Sequence, residues 1–126
     1  MRIHVAITDN SPPWDLTAEE FRRRLVSFRP DARTNAGYQQ HDGDYLEFDL
    51  DFGGERHDGN YWPGEQLVLY DYPFEEWAPV ISWFLGLLPG DASAQCFLDA
   101  VPIPRDLPRD STAAHIAEIL TALDAK

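Results

Sequence analysis

Carboxylates alternate with apolar residues along residues 45–52, and this segment has the clearest chemical potential in the chain. Glu47, Asp49 and Asp51 hold the odd positions after Tyr45, and the even positions are all apolar. Because successive side chains of a strand point to opposite faces, this period predicts a strand with one dry face and one carboxylate face. A carboxylate face can attract a basic partner or, with histidines nearby, bind a divalent metal ion.

The dipeptide Gly53-Gly54 predicts a two-residue turn, after which residues 55–62 return antiparallel. The facing pairs on the carboxylate side would then be Asp51 with Arg56, Asp49 with Asp58, Glu47 with Asn60 and Tyr45 with Trp62. Two facing carboxylates cost about 0.2–1 kcal/mol, so the pairing of Asp49 with Asp58 is at odds with optimisation of the fold alone. We therefore predict a partner-binding surface there, formed by Tyr45, Glu47, Asp49, Asp51, Asp58 and Trp62. The alternative is a solvated sheet face without a partner.

Residues between positions 41 and 58 also include the right side-chain types for a metal site, namely His41, Asp42, Asp44, His57 and Asp58. Their spacing matches no HExxH or CxxC motif and no calcium-binding loop. In the hairpin register described above, His57 points to the dry face whereas Asp58 points outward. We therefore expect no functional metal ion and no cofactor.

Motifs of catalysis are missing from the sequence. No serine lies in a GxSxG setting, and no GxxxxGK[ST] or GxGxxG segment occurs. Cys96, the single cysteine, lies among apolar neighbours and is expected to be buried and structural rather than nucleophilic. His4 and His115 are likewise expected to be structural. We predict no catalytic residues, and an enzyme is the less favoured class of protein.

The composition argues against several other classes of function. The 22 acidic and 10 basic residues give a formal net charge of -12, whereas a protein that binds nucleic acid needs a basic footprint. Eleven of the carboxylates, with only one basic residue, lie between positions 42 and 76. The first nine residues do not resemble a signal peptide, and the longest apolar stretch, residues 77–88, is too short to span a bilayer. We expect a cytoplasmic protein that binds a basic protein partner, without nucleic acid or membrane.

The strands and helices that must position these residues can also be predicted from the sequence, and they indicate one α+β domain over residues 1–126. Strand patterns cover residues 3–8, 45–52, 55–62, 66–72 and 94–100, with a weaker one at 32–38. Helix patterns cover residues 18–29, 74–88 and 111–123, the first with a capping box from Thr17 to Glu20. Residues 39–43 are expected to form a turn, and residues 101–108 an extended polyproline spacer. This separation of strand and helix segments favours a single antiparallel sheet, a meander, with about three helices packed on one face.

The block from Asp42 to Leu88 carries a resemblance to a known class of proteins. With its strand at 45–52, its Trp62-Pro63-Gly64 turn and its helix over 77–88, the chain resembles the small acidic immunity proteins that bacteria carry against polymorphic toxins. The resemblance implies a non-enzymatic inhibitor that neutralises a cognate toxin by covering a basic surface.

The alternative function is a small enzyme or ligand-binding domain. Its pocket would lie between the sheet and the buried helix, with Trp77, Trp83 and a histidine at the mouth.

Overall fold

The computed structural model describes residues 1–39, 43–71 and 74–125. In this part of the chain, seven strands form one antiparallel sheet that three helices cover. The strands are β1 (Arg2–Ile7), β2 (Arg33–Gln39), β3 (Gly43–Phe52), β4 (Glu55–Trp62), β5 (Gln66–Tyr70), β6 (Ala94–Leu98) and β7 (Val101–Leu107). The helices are α1 (Ala18–Phe28), α2 (Phe74–Leu87) and α3 (Ala113–Asp124). The prediction of an α+β fold with a single antiparallel sheet is confirmed.

The strands lie across the sheet in the order β2-β3-β4-β5-β1-β6-β7. Strands β2 to β5 pair in chain order, as a meander does, and β1 lies between β5 and β6. In the β3–β4 hairpin the predicted register is confirmed, with Asp49 opposite Asp58 and Asp51 opposite Arg56. Gly53 has a φ of 66° and Gly54 one of 97°, the left-handed conformations that this tight turn requires.

Apolar side chains from one sheet face and from the helices form a continuous core. The ring of Phe21 in α1 stacks on that of Tyr61 in β4, with 4.6 Å between the centroids. In α2, Trp77 lies edge-on to Phe48 of β3, and α3 packs on β6 and β7. The apolar stripe of α3 is buried: Ile116, Ile119, Leu120 and Leu123. The helices therefore share one side of the sheet, and we call the opposite side the open face.

The start of α1 follows the capping box only in part. The Thr17 hydroxyl accepts a hydrogen bond from the N–H of Glu20, as predicted. The Glu20 carboxylate, however, binds Arg23 and Arg24 rather than the backbone of the cap residue. Basic side chains three and four residues further along a helix lie on the same face as the carboxylate, and here they compete successfully for it.

Two predictions near the C-terminus are wrong. Residues 101–107 form the edge strand β7 rather than a polyproline spacer, because an edge strand tolerates prolines whose missing N–H would face solvent. Helix α3 begins at Ala113 rather than at residue 111, because Thr112 caps it and accepts from the N–H of His115. The strand predicted weakly at 32–38 is confirmed and forms β2. Of the turn predicted at 39–43, residues 40–42 lie outside the described residues.

Candidate functional site

The open face holds a concavity of about 570 Å³ between β2 and β5. Its side chains come from open-face positions: Arg33, Asn35, Tyr45, Glu47, Asp49, Asp58, Asn60 and Tyr70. The other lining residues, Thr34, Phe48 and Gly59, alternate to the helix side and contribute backbone to the floor. Four of the six residues predicted for partner binding therefore lie together here, and we call this region the β2–β5 concavity.

Asp49 is bound by two arginines on one side of this concavity. The Nε of Arg33 lies 2.9 Å from Asp49 Oδ1, and the guanidinium of Arg56 binds the same carboxylate. Arg56 also donates to the Asp49 carbonyl at 3.0 Å. Burial alone would raise the pKa of Asp49, but the hydrogen bonds from Arg33 and Arg56 outweigh it and hold the pKa below its usual value. We call Arg33, Asp49 and Arg56 the paired corner.

The two arginines bound to Asp49 change the interpretation of the facing carboxylates Asp49 and Asp58. The repulsion predicted between Asp49 and Asp58 is relieved within the chain, so Asp49 needs no external cation. The hairpin predicted from the sequence has one basic residue, Arg56, near these carboxylates. In the structure, β2 adds Arg33 directly opposite Asp49.

Glu47 and Asp58 are the other two carboxylates that line the concavity, one next to Asp49 along β3 and one opposite it on β4, and we call them the unpaired corner. Neither carboxylate is bound by a basic side chain in the described part of the chain. Glu47 accepts a hydrogen bond from the Tyr45 hydroxyl at 3.1 Å, and Asp58 is exposed with no side-chain partner among the same residues. Glu47 and Asp58 are diagonal neighbours across β3 and β4, and the Cα atoms of such neighbours are roughly 7–8 Å apart. Their negative charge is therefore directed at solvent.

Aromatic rings border the unpaired corner. The rings of Tyr45 and Trp62 stack at 4.1 Å with an interplanar angle of 12°, so Trp62 supports Tyr45 without lining the concavity itself. The hydrogen bond to Glu47 raises the pKa of the Tyr45 phenol. Nearby, the side-chain amide of Asn60 donates to the Tyr70 hydroxyl at 3.0 Å. These contacts fix the rings and the Glu47 carboxylate in place before any partner binds.

Asp51, the sixth predicted residue, lies at the turn end of the hairpin and does not line the concavity. Its carboxylate accepts from the N–H of Gly54, and its own N–H donates to the Asp31 carboxylate, both at 2.8 Å. Arg29 binds the same Asp31 carboxylate, which lowers the pKa of Asp31 from 3.8 to about 2, with the Arg29 hydrogen bond the leading cause. Asp51 therefore stabilises the turn.

A second polar cluster on the open face was not found by sequence reasoning. The His4 ring stacks on Phe97 at 4.7 Å, its Nδ1 lies 3.0 Å from Gln66 Oε1, and its Nε2 contacts Asp99. Arg2 donates to the other Asp99 oxygen at 2.6 Å. The cluster joins segments that are far apart in the chain, so no local spacing indicates it.

Among the described residues considered for metal binding, His57 and Asp58 point to opposite faces of the sheet. His57 Nε2 lies 3.7 Å from Glu55, and its ring packs against Phe52 on the helix side of the sheet. No group of three or more metal-binding side chains occurs among the residues that the structure describes. His41 and Asp42 lie outside those residues.

Of the groups considered for catalysis, Cys96 and Trp77 lie in the core, whereas His115 is exposed. Cys96 is fully buried, and burial raises the pKa of its thiol to about 11. Trp77 is 0% exposed and donates to the Tyr70 carbonyl, so its ring cannot border a pocket mouth. Trp83 stacks on the ring of Phe28, which is 38% exposed, so Trp83 lies at a packed surface.

In the described residues, no helix has the length and apolarity that crossing a membrane requires.

Comparisons with known proteins identify no relative. No family model matches the chain, and no curated protein or solved structure matches it. A functional proposal therefore depends on the geometry and charge of the site itself.

Proposed function

We propose that this protein is a non-enzymatic binding protein that captures a basic protein partner on the open face of its sheet. The observation that carries the proposal is the unpaired corner of the β2–β5 concavity, where Glu47 and Asp58 are bound by no described basic side chain although Arg33 and Arg56 lie on the same face. In its finer form, the proposal is an immunity protein that neutralises a cognate bacterial toxin by covering a basic surface.

Charge and shape both support capture of a basic partner. The formal net charge of -12 would steer a basic protein toward this chain and raise the association rate. The stacked rings of Tyr45 and Trp62 offer a rigid aromatic anchor of the kind that dominates many interfaces.

The contacts divide the six predicted residues by role. Glu47 and Asp58 supply charge to the partner, and Tyr45 with Trp62 supplies aromatic surface. Asp49 is already bound by two arginines and Asp51 belongs to the turn, so these two residues hold the strands that carry the site.

Partner capture with matched variants tests this proposal. The wild-type protein, the Glu47→Gln/Asp58→Asn variant and the control Glu118→Gln/Asp91→Asn are immobilised and exposed to lysate and culture medium of the parent organism. Glu118 and Asp91 are exposed carboxylates outside the concavity, so the control loses the same charge. We expect a basic protein, identified by mass spectrometry, that wild type and control retain and that the first variant loses. Equal retention by all three proteins would overturn the proposal.

Co-expression tests the immunity form. If the captured partner is toxic, wild type and control should suppress its toxicity and the Glu47→Gln/Asp58→Asn variant should not. A partner that is harmless when expressed alone would contradict the immunity form but not partner binding.

A further inference from the structure

We propose that the β2–β5 concavity receives the guanidinium group of one arginine side chain, a specificity that rests on the proposed capture of a basic protein. The lining of the concavity combines two acceptor carboxylates, two tyrosine rings and two side-chain amides. Each of these groups matches a different property of a guanidinium.

The acceptors of the concavity outnumber its donors at the unpaired corner. An ionised carboxylate only accepts hydrogen bonds, and Asp58 has none from the described side chains while Glu47 has one, from Tyr45. The Asn60 amide donates one of its two N–H groups to Tyr70, and its carbonyl oxygen is a further acceptor. A guanidinium carries five N–H donors and no acceptor, so it satisfies this set without leaving a group of its own unpaired.

The spacing of the acceptors favours arginine over lysine. Glu47 and Asp58 are diagonal neighbours, and a planar fork of donors can address two separated carboxylates where a compact ammonium contacts one. One face of the Tyr45 ring is covered by Trp62, and the ring also borders the concavity. A guanidinium can stack on an aromatic ring there while its edge donates to the carboxylates.

Other occupants fit the site poorly. An anion would meet Glu47 and Asp58, while the arginines that could attract it are bound to Asp49. A second copy of this chain brings the same net charge of -12, so the two copies repel each other.

A titration with blocked tripeptides tests the arginine assignment without the partner. Acetyl-Gly-Arg-Gly-amide is added to ¹⁵N-labelled protein at constant ionic strength, and backbone chemical shifts are followed. The same titration uses the lysine tripeptide and the neutral citrulline tripeptide, which keeps the shape of arginine and loses its charge. We expect saturable shifts around Tyr45, Glu47, Asp58 and Asn60 with arginine, weaker ones with lysine and none with citrulline.

Variants assign the binding to the proposed groups. Glu47→Gln/Asp58→Asn should weaken arginine-tripeptide binding by about tenfold or more, since it removes both charged acceptors, whereas Glu118→Gln/Asp91→Asn should leave it unchanged. Tyr45→Phe keeps the ring and loses the hydroxyl that positions Glu47, and it should weaken binding by a smaller factor. The amide spectrum of each variant verifies that it folds.

The outcomes separate this inference from the proposed function. Shifts that do not saturate, equal binding of citrulline, or unchanged binding by Glu47→Gln/Asp58→Asn would overturn the arginine site. If a captured basic partner still depends on Glu47 and Asp58 in that case, only the arginine assignment fails. If the tripeptide binds as expected and no basic partner is captured, the proposed function fails and the site stands.

Discussion

Asp49 and Asp58 are the same residue type, lie opposite each other on adjacent strands and point to the same face, yet their surroundings differ completely. Asp49 is held by Arg33 and Arg56 and is 22% exposed, whereas Asp58 is exposed and has no partner among the described side chains. The difference arises in part from β2, which pairs with β3 and not with β4. It places Arg33 opposite Asp49, whereas opposite Glu47 it places only the neutral Asn35. An acidic surface is thus divided into a part that is neutralised within the fold and a part that has no basic partner among the described side chains.

The largest expected effect on stability comes from a substitution at Gly59. Its lack of a side chain lets β4 pair with β3 and so holds Asp58 opposite Asp49. A Cβ at Gly59 would overlap the buried ring of Phe48, which is confined by Phe21 and Trp77. Gly59→Ala should lower the free energy of unfolding by about 2 kcal/mol or more, measured by urea denaturation. As a control, Gly86→Ala meets no atom within 4 Å in α2 and should hold or raise stability. A Gly59→Ala protein as stable as wild type would contradict the packing described.

Asp49→Asn should produce the next largest loss of stability, about 1 kcal/mol. The substitution removes charge-assisted hydrogen bonds and leaves Arg33 and Arg56 facing each other without a countercharge. Denaturation at low and high salt measures the loss, which should shrink as salt screens the two arginines. A stability equal to that of wild type at low salt would show that the paired corner contributes nothing.

The pH dependence of stability should come from arginine-bound carboxylates, with Asp31 as the clearest case. Its pKa is about 2 in the folded chain and 3.8 as the ordinary value, so the folded state binds fewer protons between these values. The stabilisation is complete above about pH 4 and is lost as the pH falls toward 2. Asp31→Asn should flatten acid denaturation in this window, followed by circular dichroism. If the variant keeps the wild-type pH dependence, Asp31 is not the source.

Asp58→Asn should have the smallest effect on the fold, within about 0.5 kcal/mol and in the stabilising direction, because it removes a charge that nothing in the described chain balances. The same urea measurement as for Asp49→Asn gives a direct comparison at cross-strand positions. A loss similar to that of Asp49→Asn would mean that Asp58 has a structural role and would remove it from the binding site.

The register of the hairpin could be predicted from the sequence to the residue, whereas β3 begins at Gly43, two residues earlier than predicted. Alternation over 45–52 defines which side chains share a face, and a two-residue Gly53-Gly54 turn leaves only one register for the returning strand. Because both rules are local, the pairs Asp49 with Asp58 and Tyr45 with Trp62 followed directly.

The paired corner and the His4 cluster could not be predicted in the same way. Arg33 lies on a polar strand without alternation, and its place opposite Asp49 depends on which edge of β3 that strand joins. His4 and Asp99 are 95 residues apart in sequence. Both contacts follow from the strand order, which hydrophobic period alone does not specify.

The two edge strands of the sheet, β2 and β7, differ in how readily they can pair with a strand of another molecule. At β7, Pro102 and Pro104 alternate along the outer strand and deprive its free edge of two hydrogen-bond donors, whereas β2 contains no proline over Arg33–Gln39. Continuous fibre growth by strand pairing needs two receptive edges on every molecule. A molecule with one receptive edge can join edge to edge only once, so the prolines limit such assembly to pairs and protect the concentrated protein from open-ended aggregation.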